Sequence, residues 1–398
     1  MKALSNITVI DLTHMLSGPY AGMLLADLGA DTIKVEPLRG EATRELLKNS
    51  PEYSREGMGA YFLTLNRNKK SVAIDLKSEQ GREVFYKLVE QADVVLNNFG
   101  TGVPERLGID YEQLAKHNPR IITCSITGFG ETGPDPKRPA FDLVAQGMGG
   151  GMSITGEPGG EPLRAGIPIG DLGGGVFAVI GILSALQARQ HTGRGQHVDI
   201  SMMDCQLSLL NYMGTMQLMS GIDPGPMGNS HFVHVPYGTF RTKSRYLIIA
   251  VLSDKFWENL VELLDDDDLR NPEFATQPGR WAAQGFINAR IQEHFDREPC
   301  EYWLQKLGEY RIPCAPVNKF SDAFNDPQAQ ARNMVVEVPL ATGEKIRQPG
   351  NPVKFSDTNE ESYSTPPTIG QNTNEILCQR LGLSVEQVEK LRGEGVIN

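Results

Sequence analysis

"NITVIDLTHMLSGPYAGMLLADLGADTIKVE", Asn6 to Glu36, reads as a strand, a loop, a helix and a second strand. "NITVIDL" and "DTIKVE" carry the β-branched residues of buried strands, and "AGMLLADLG" spaces its apolar residues at helical intervals. That is the rhythm of a parallel βαβ unit. It continues through strand "KSVAIDL", helix "SEQGREVFYKLVEQ", strand "ADVVLNNF", helix "YEQLAKHN" and strand "RIITCSITGF". Strands that alternate with helices through short connections predict an α/β fold with a doubly wound parallel sheet.

Further along, "RAGIPIGDLGGGVFAVIGILSAL", Arg164 to Leu186, sets one carboxylate, Asp171, between an apolar run and three glycines. Ile167 and Ile169 alternate as in a strand, while Val176, Phe177, Ile180 and Leu183 recur at helical spacing, so Asp171 is expected at a strand-to-helix turn. Strand "QHVDISM" and the apolar helix "MMDCQLSLLNYMGTMQLMSG" follow, and glycine and proline are dense from Gly221 to Gly228. "PYGTFRTKSRYLIIAV" then alternates like strands and precedes charged helices. These signals predict a large α/β domain over 1–205, a linker helix over 206–225, a smaller α+β domain over 226–318, and a C-terminal segment, 319–398, that returns to the large domain.

With 398 residues, 40% hydrophobic and 22% charged, the chain has the composition of a folded protein of about two domains. A net charge of −11 argues against a nucleic-acid partner, so any anionic ligand must be met by local cations. No signal-peptide run opens the sequence, and the longest apolar stretch, Val176 to Leu186, reads as too short to span a bilayer, so no membrane partner and a cytoplasmic location are expected. Cys124, Cys205, Cys300, Cys314 and Cys378 are far apart and form no C-x-x-C pair, which points to reduced thiols.

Several chemistries are excluded by pattern. The acidic Glu36 at the end of the second strand invites a dinucleotide reading, but the loop "HMLSGPYAG" lacks G-x-G-x-x-G. Walker A and G-x-S-x-G motifs are absent as well. His231 and His234 in "HFVH" have no partner at a recognised metal-ligand offset, so no metal is expected. Cations do recur where the early strands end: Arg39, Lys69, Lys70, Arg106, Lys137 and Arg138, a set suited to a phosphate-rich ligand.

Two readings of Asp171 stand side by side. It can be a helix N-cap, since Asp is among the favoured caps. It can equally be an ionised nucleophile toward an activated acyl group, with nearby N–H groups steadying the oxyanion. Three glycines, Gly173 to Gly175, weaken a helix start by up to about 1 kcal/mol each, so something is expected to come close beside them.

"ITVIDLTHMLSGPYAGMLLADLGADTIKVE", "NRNKKSVAIDLK", "VVLNNFGTGVPERLG", "SITGFGETGP", "AFDLVAQGMGG", "IGDLGGG" and "TGRGQHVDISM" together resemble the blocks of one known family, in its order. It is the class III CoA-transferases, the formyl-CoA transferase and carnitine CoA-transferase (CaiB/BaiF) type, and the likeness covers essentially the whole chain. The resemblance implies a Rossmann-like large domain built from both chain ends, a smaller inserted domain, and an interlocked homodimer. It also implies that Asp171 attacks an acyl-CoA thioester and passes through a mixed anhydride and an aspartyl-CoA thioester. Coenzyme A would then be a co-substrate, with no resident cofactor and no metal.

By matching motif positions, the CoA contacts implied are Met15, Leu16, Ile74 to Lys77, Asn98, Phe99, Gly100, Arg106 and Arg138. Where the formyl-CoA transferase type has an arginine after the glutamate of its second strand, this chain has Pro37, and Arg39 follows two residues later. Gly228 and Asn229 lie in a loop resembling the family's glycine loop, without its run of glycines. The "GNSHFVHVPYGTF" block looks more like members that pair succinyl-CoA with C4 to C6 dicarboxylates such as mesaconate, citramalate, itaconate or glutarate. Arg164 or His231 is the candidate for the distal carboxylate. The rivals are an oxalate or formate acceptor, a non-catalytic acyl-CoA-binding protein, and an α-methylacyl-CoA racemase; the last needs an acid/base histidine where this chain has Phe141, between Ala140 and Asp142.

Overall fold

The computed structural model describes residues 1–398. The chain forms two compact units: Met1–Gly151 with Arg164–Ser220 and Ala331–Asn398, and Met152–Leu163 with Gly221–Gln330. These bounds differ from the sequence expectation. Residues 206–220 belong to the first unit as helix, 152–163 leave it for the second, and the return to the first unit comes at Ala331, twelve residues after 319.

In the first unit six strands form one parallel sheet: β1 (Thr8–Asp11), β2 (Asp31–Glu36), β3 (Lys69–Ala73), β4 (Val94–Asn97), β5 (Ile122–Thr127) and β6 (His197–Ser201). Their order is β3-β2-β1-β4-β5-β6, with every neighbour parallel. This is the Rossmann order, and it reverses between β1 and β4, where ligands of such sheets bind beyond the strands' carboxyl ends. The helices are α1 (Ser17–Asp27), α2 (Ala60–Leu65), α3 (Glu79–Val89), α4 (Val103–Leu107), α5 (Tyr111–His117), α6 (Asp142–Met148), α7 (Ile169–Thr192), α8 (Met202–Leu209) and α9 (Asn211–Ser220).

Alternation along the strands splits the core into two faces. Ile10, Ile33, Val35, Val72 and Val95 join Phe85 and Leu88 of α3 and, from the far end of the chain, Ile376, Leu377, Val388, Val396 and Ile397. Val9, Val94, Leu96, Ile122 and Cys124 join Ala21 and Leu25 of α1 and Ala178, Ile182 and Ala185 of α7. The C-terminal segment therefore supplies core, although its sequence shows no core pattern of its own.

Three local expectations are corrected. Residues 164–168 form no strand; α7 already starts at Ile169 because Pro168 serves as its N-cap residue. The apolar stretch after Met202 is two helices, broken at Asn211, whose φ of 49° no helix interior accommodates. Finally, α7 has 24 residues and is long and apolar enough to cross a membrane by length and composition, contrary to the reading of Val176 to Leu186; half of its most apolar window is buried inside the protein.

The glycines of α7 serve packing. A Cβ at Gly175 would stand 2.8 Å from the Ser17 carbonyl oxygen of α1, and one at Gly174 would press on Met202 and Ile126 at 3.2 and 3.3 Å. So at Gly174 and Gly175 the close neighbours are α1, α8 and the sheet, in place of the ligand that the sequence suggested, whereas a Cβ at Gly173 would make only ordinary contact with Leu209 and Gln206, at 3.4 and 3.5 Å. Gly18 and Gly22 of "SGPYAG" act alike: their Cβ atoms would meet Thr13 at 2.4 Å and Asp11 at 2.6 Å.

The second unit is α+β, as expected. An antiparallel sheet of β7 (Tyr237–Phe240), β8 (Leu247–Ala250) and β9 (Cys314–Pro316), in the order β9-β8-β7, packs with helices α10 (Asp254–Leu264), α11 (Gln277–Ala282), α12 (Gln284–Phe295) and α13 (Cys300–Glu309). Phe240, Leu247, Ile249, Trp257, Leu260, Ile291, Phe295 and Trp303 are its buried centre.

Candidate active site

The loops that leave β1 and β4 meet at the switch point and clasp each other through Asn98. The His14 N–H donates to Asn98 Oδ1 at 2.9 Å, and Asn98 Nδ2 donates to the His14 carbonyl at 2.7 Å. Beneath them, the fully buried Lys34 donates to the Thr13 carbonyl at 2.8 Å, and Asp11 accepts the Thr13 N–H at 2.9 Å and pairs with Lys69 at 2.7 Å. Burial alone would push the Asp11 carboxyl up, but Lys69 and Lys34 outweigh it and hold Asp11 below the usual carboxylate range. With both neighbours fixed, Met15 sits at a φ of 62°, a left-handed conformation uncommon for its residue type. The His14 ring stacks on Phe99, centroids 5.7 Å apart.

Two clefts open on these loops and share His14 and Phe99. The larger, about 480 Å³, is walled by Leu12, Val35, Pro37, Ile74 and Leu107, with Arg39, Glu41 and Lys77 at its polar positions. The smaller, about 280 Å³, is lined by Met15, Tyr61, Asn98, Gly100, Lys137, Arg138, Phe141 and Asp171. Burial also holds the His14 imidazole below its ordinary pKa. Glu36, the residue that invited a ribose contact, is spent within the protein: Arg44 pairs with it at 2.7 Å and Ser71 Oγ donates to it at 2.5 Å.

The candidates named from the sequence distribute as follows. Arg39, Ile74 and Lys77 line the larger cleft; Met15, Asn98, Gly100, Arg138, Phe141 and Asp171 line the smaller; Phe99 lines both. Leu16, the residue before α1, and Arg106, exposed on α4, line neither. Arg164 is exposed too, its guanidinium on the carbonyls of Ala165 and Gly166. Gly228, Asn229 and His231 belong to the second unit, where the Gly228 N–H donates to the Gly156 carbonyl at 2.8 Å and Asn229 Nδ2 donates to Thr239 Oγ1 at 3.0 Å. His14 and Tyr61 went unnamed. Position after β1 in a switch-point sheet could have found His14, whereas Tyr61 has no pattern that marks it.

Asp171 is the third residue of α7, and the cap reading is corrected by where its neighbours point. The helix's free N–H groups are taken by Asp142: Oδ1 accepts from Gly170 at 2.8 Å and from Asp171 at 3.3 Å. Asp142 is held in turn by Gln146, whose Nε2 donates to Oδ2 at 2.8 Å while its Oε1 accepts the Ala165 N–H at 2.9 Å. Gln206 Nε2 donates to the Ile169 carbonyl at 3.2 Å and fixes the same turn. The Asp171 carboxylate is thereby left to face the cleft. Burial first, and the charge of Asp142 second, push its pKa up to about 6, against the helix dipole that favours the anion. At neutral pH it is still mostly ionised, as expected, but with a stronger basicity than an ordinary aspartate.

Comparison with known proteins shows the family. Residues 4–373 match CoA-transferase family III. The chain is 37% identical to a succinyl-CoA:mesaconate CoA-transferase of Haloarcula marismortui over 95% of this chain and 96% of that protein. It is 35% identical to the succinyl-CoA:glutarate CoA-transferase of Mus musculus, over 100% of this chain and 91% of the mouse protein. The crystal structure of a CaiB/BaiF family protein from Brucella suis superposes with a TM-score of 0.85 at 37% identity, covering 95% of this chain and 99% of that one. The chain belongs to CoA-transferase family III and is a CoA-transferase.

Proposed function

We propose that the enzyme moves coenzyme A from succinyl-CoA to a C4 to C6 dicarboxylic acid, with Asp171 as the covalent carrier. The observation that carries this reading is a half-buried carboxylate of raised pKa in the smaller cleft, which shares His14 and Phe99 with a larger, mainly apolar cleft that carries Arg39 and Lys77. The Haloarcula and mouse relatives support the donor and the acceptor class. Arg39 and Lys77 are the cations for the phosphates, and Phe99 and Ile74 the apolar contacts.

The steps balance as a double displacement. An Asp171 oxygen attacks the thioester carbonyl; the tetrahedral oxyanion collapses with loss of the CoA thiolate, leaving a succinyl-aspartyl anhydride. The thiolate then attacks the aspartyl carbonyl, expels succinate and forms an aspartyl-CoA thioester. An acceptor carboxylate attacks that thioester in the same way, and the thiolate finally takes the acceptor acyl group from the second anhydride, which regenerates the Asp171 carboxylate. Coenzyme A enters and leaves as a co-substrate. The active form is a homodimer in this reading, and its place of work is the cytoplasm.

The test is to incubate the protein with succinyl-CoA without acceptor, quench with hydroxylamine or borohydride, and locate the mass change by peptide mass spectrometry. Modification of the peptide around Asp171, lost in Asp171→Asn, is the expected result. An unmodified Asp171 with turnover intact sinks the covalent reading. Exchange of an α-proton in heavy water without transfer would then support racemisation, for which Phe141 offers no acid/base group.

A further inference from the structure

The loop between β5 and α6 closes on itself. A Cβ at Gly128 would stand 2.4 Å from the Ala140 Cβ, and the Gly128 carbonyl accepts the Met203 N–H of α8 at 3.0 Å, which ties the base down. Between these ends runs "FGETGPDPKRP", Phe129 to Pro139, whose Lys137 and Arg138 line the smaller cleft.

One residue of this loop, Glu131, is gripped twice by the edge strand β6. His197 and Asp199 lie two residues apart on that strand and so share a face. Asp199 Oδ2 accepts the Glu131 N–H at 2.9 Å, and His197 Nε2 donates to Glu131 Oε2 at 2.8 Å. The bond from His197 outweighs burial and holds the Glu131 carboxyl below its usual range. His197 is backed in turn by Thr123, its register partner on β5, whose Oγ1 is 2.7 Å from Nδ1.

The grip reaches Arg138 through one ring. Phe129 sits between the closed base and Glu131, and Gly130, at a φ of 82°, turns the chain there with its N–H on Thr127 Oγ1 at 2.8 Å. The Arg138 guanidinium stands over the Phe129 ring, 5.2 Å from its centroid. Pro134, Pro136 and Pro139 stiffen the limb that carries Arg138, so a shift at the anchor is passed along it.

We infer that Glu131 is a positioning residue for coenzyme A binding: its anchor on β6 fixes Phe129, and Phe129 sets the Arg138 guanidinium at the smaller cleft. The inference rests on the reading above that these clefts hold coenzyme A. Glu131 and His197 are half-buried, and a pair of that exposure adds little to global stability, so its loss is read in affinity while the melting temperature stays put.

The experiment titrates free coenzyme A by calorimetry. Arg138→Met is expected to weaken binding by roughly 10-fold or more, the range for a bond to a charged group, and Glu131→Ala by about 3- to 10-fold. Glu131→Gln keeps an oxygen for the His197 N–H and is expected to bind within about twofold of the wild type. Added to Arg138→Met, Glu131→Ala should cost less than about twofold, because the two act through one contact. Losses that multiply in full in the double variant, wild-type affinity in Glu131→Ala, or a glutamine variant as weak as the alanine one would each overturn the inference. Wild-type affinity in Arg138→Met would remove the cleft reading, and the anchor is then judged by tryptic cleavage after Lys137 in the ligand-free protein, located by mass spectrometry. Faster cutting of Glu131→Ala than of the wild type supports the anchor; equal cutting overturns it.

Discussion

Asp142 and Asp171 set two carboxyl groups beside one helix end, and Asp171 is the one that faces the cleft. Asp142 is anchored by the N–H groups of α7 and by Gln146, and its charge adds to the larger effect of burial in pushing the Asp171 carboxyl up to about 6. In the proposed mechanism Asp171 reacts as the anion, so activity should rise with pH through that value, and the acid limb of the kcat/KM profile is expected near pH 6. Asp142→Asn keeps an oxygen for the Gly170 N–H but removes the charge; the limb should then move to lower pH, by on the order of one unit. A limb that stays put or moves up would mean that Asp142 does not tune the nucleophile. The place of Asp171 at the start of a long helix was legible from the helical spacing of the apolar residues that follow it. Its true cap was not, because Asp142 lies 29 residues earlier and only the folded chain brings it to the helix end.

Among the elements, α7 shows how one pattern supports two explanations. Three glycines after an acid suggest that something comes close, and at Gly175 the distances show that it is the neighbouring helix α1. Gly175→Ala would set a Cβ 2.8 Å from the Ser17 carbonyl and 3.0 Å from the Tyr20 ring. A gain of up to about 1 kcal/mol in helix propensity is outweighed by overpacking of about 1–3 kcal/mol, so a lower urea midpoint is expected. An unchanged or higher midpoint would show that α1 moves aside freely. The strands of the sheet were readable because β-branched runs between turn signals fix their extent. The break between α8 and α9 was read through, because the apolar residues continue past Asn211 and the tolerance of asparagine for a left-handed φ is only a weak signal within such a run.

For the whole molecule, the site is assembled from segments spread over much of the first unit: 12–15, 37–42, 74–77, 98–101, 136–141 and Asp171. A reading by motif recovers the segments that carry a charge or a glycine and misses those, such as Tyr61, that matter only by position. The first unit also leaves apolar side chains in the open along α7 to α9: Val176, Ile180, Leu207, Leu209, Tyr212 and, at 85% and 83% exposed, Leu218 and Met219. With the proposed homodimer these are the side chains for a second copy to cover. Light scattering on the eluted protein should give twice the 43.8 kDa of the chain, and Leu218→Asp with Met219→Asp should reduce it toward one copy. A wild-type monomer would end that reading. The return of the chain to its first unit bears finally on how the protein is made. Ile10 waits for Ile397 to complete one face of its core, an interval of roughly 20 to 80 seconds at about 5–20 residues per second. The second unit has its own buried centre and leaves the ribosome complete by Gln330, so it can mature while the older half of the nascent chain is still unfinished.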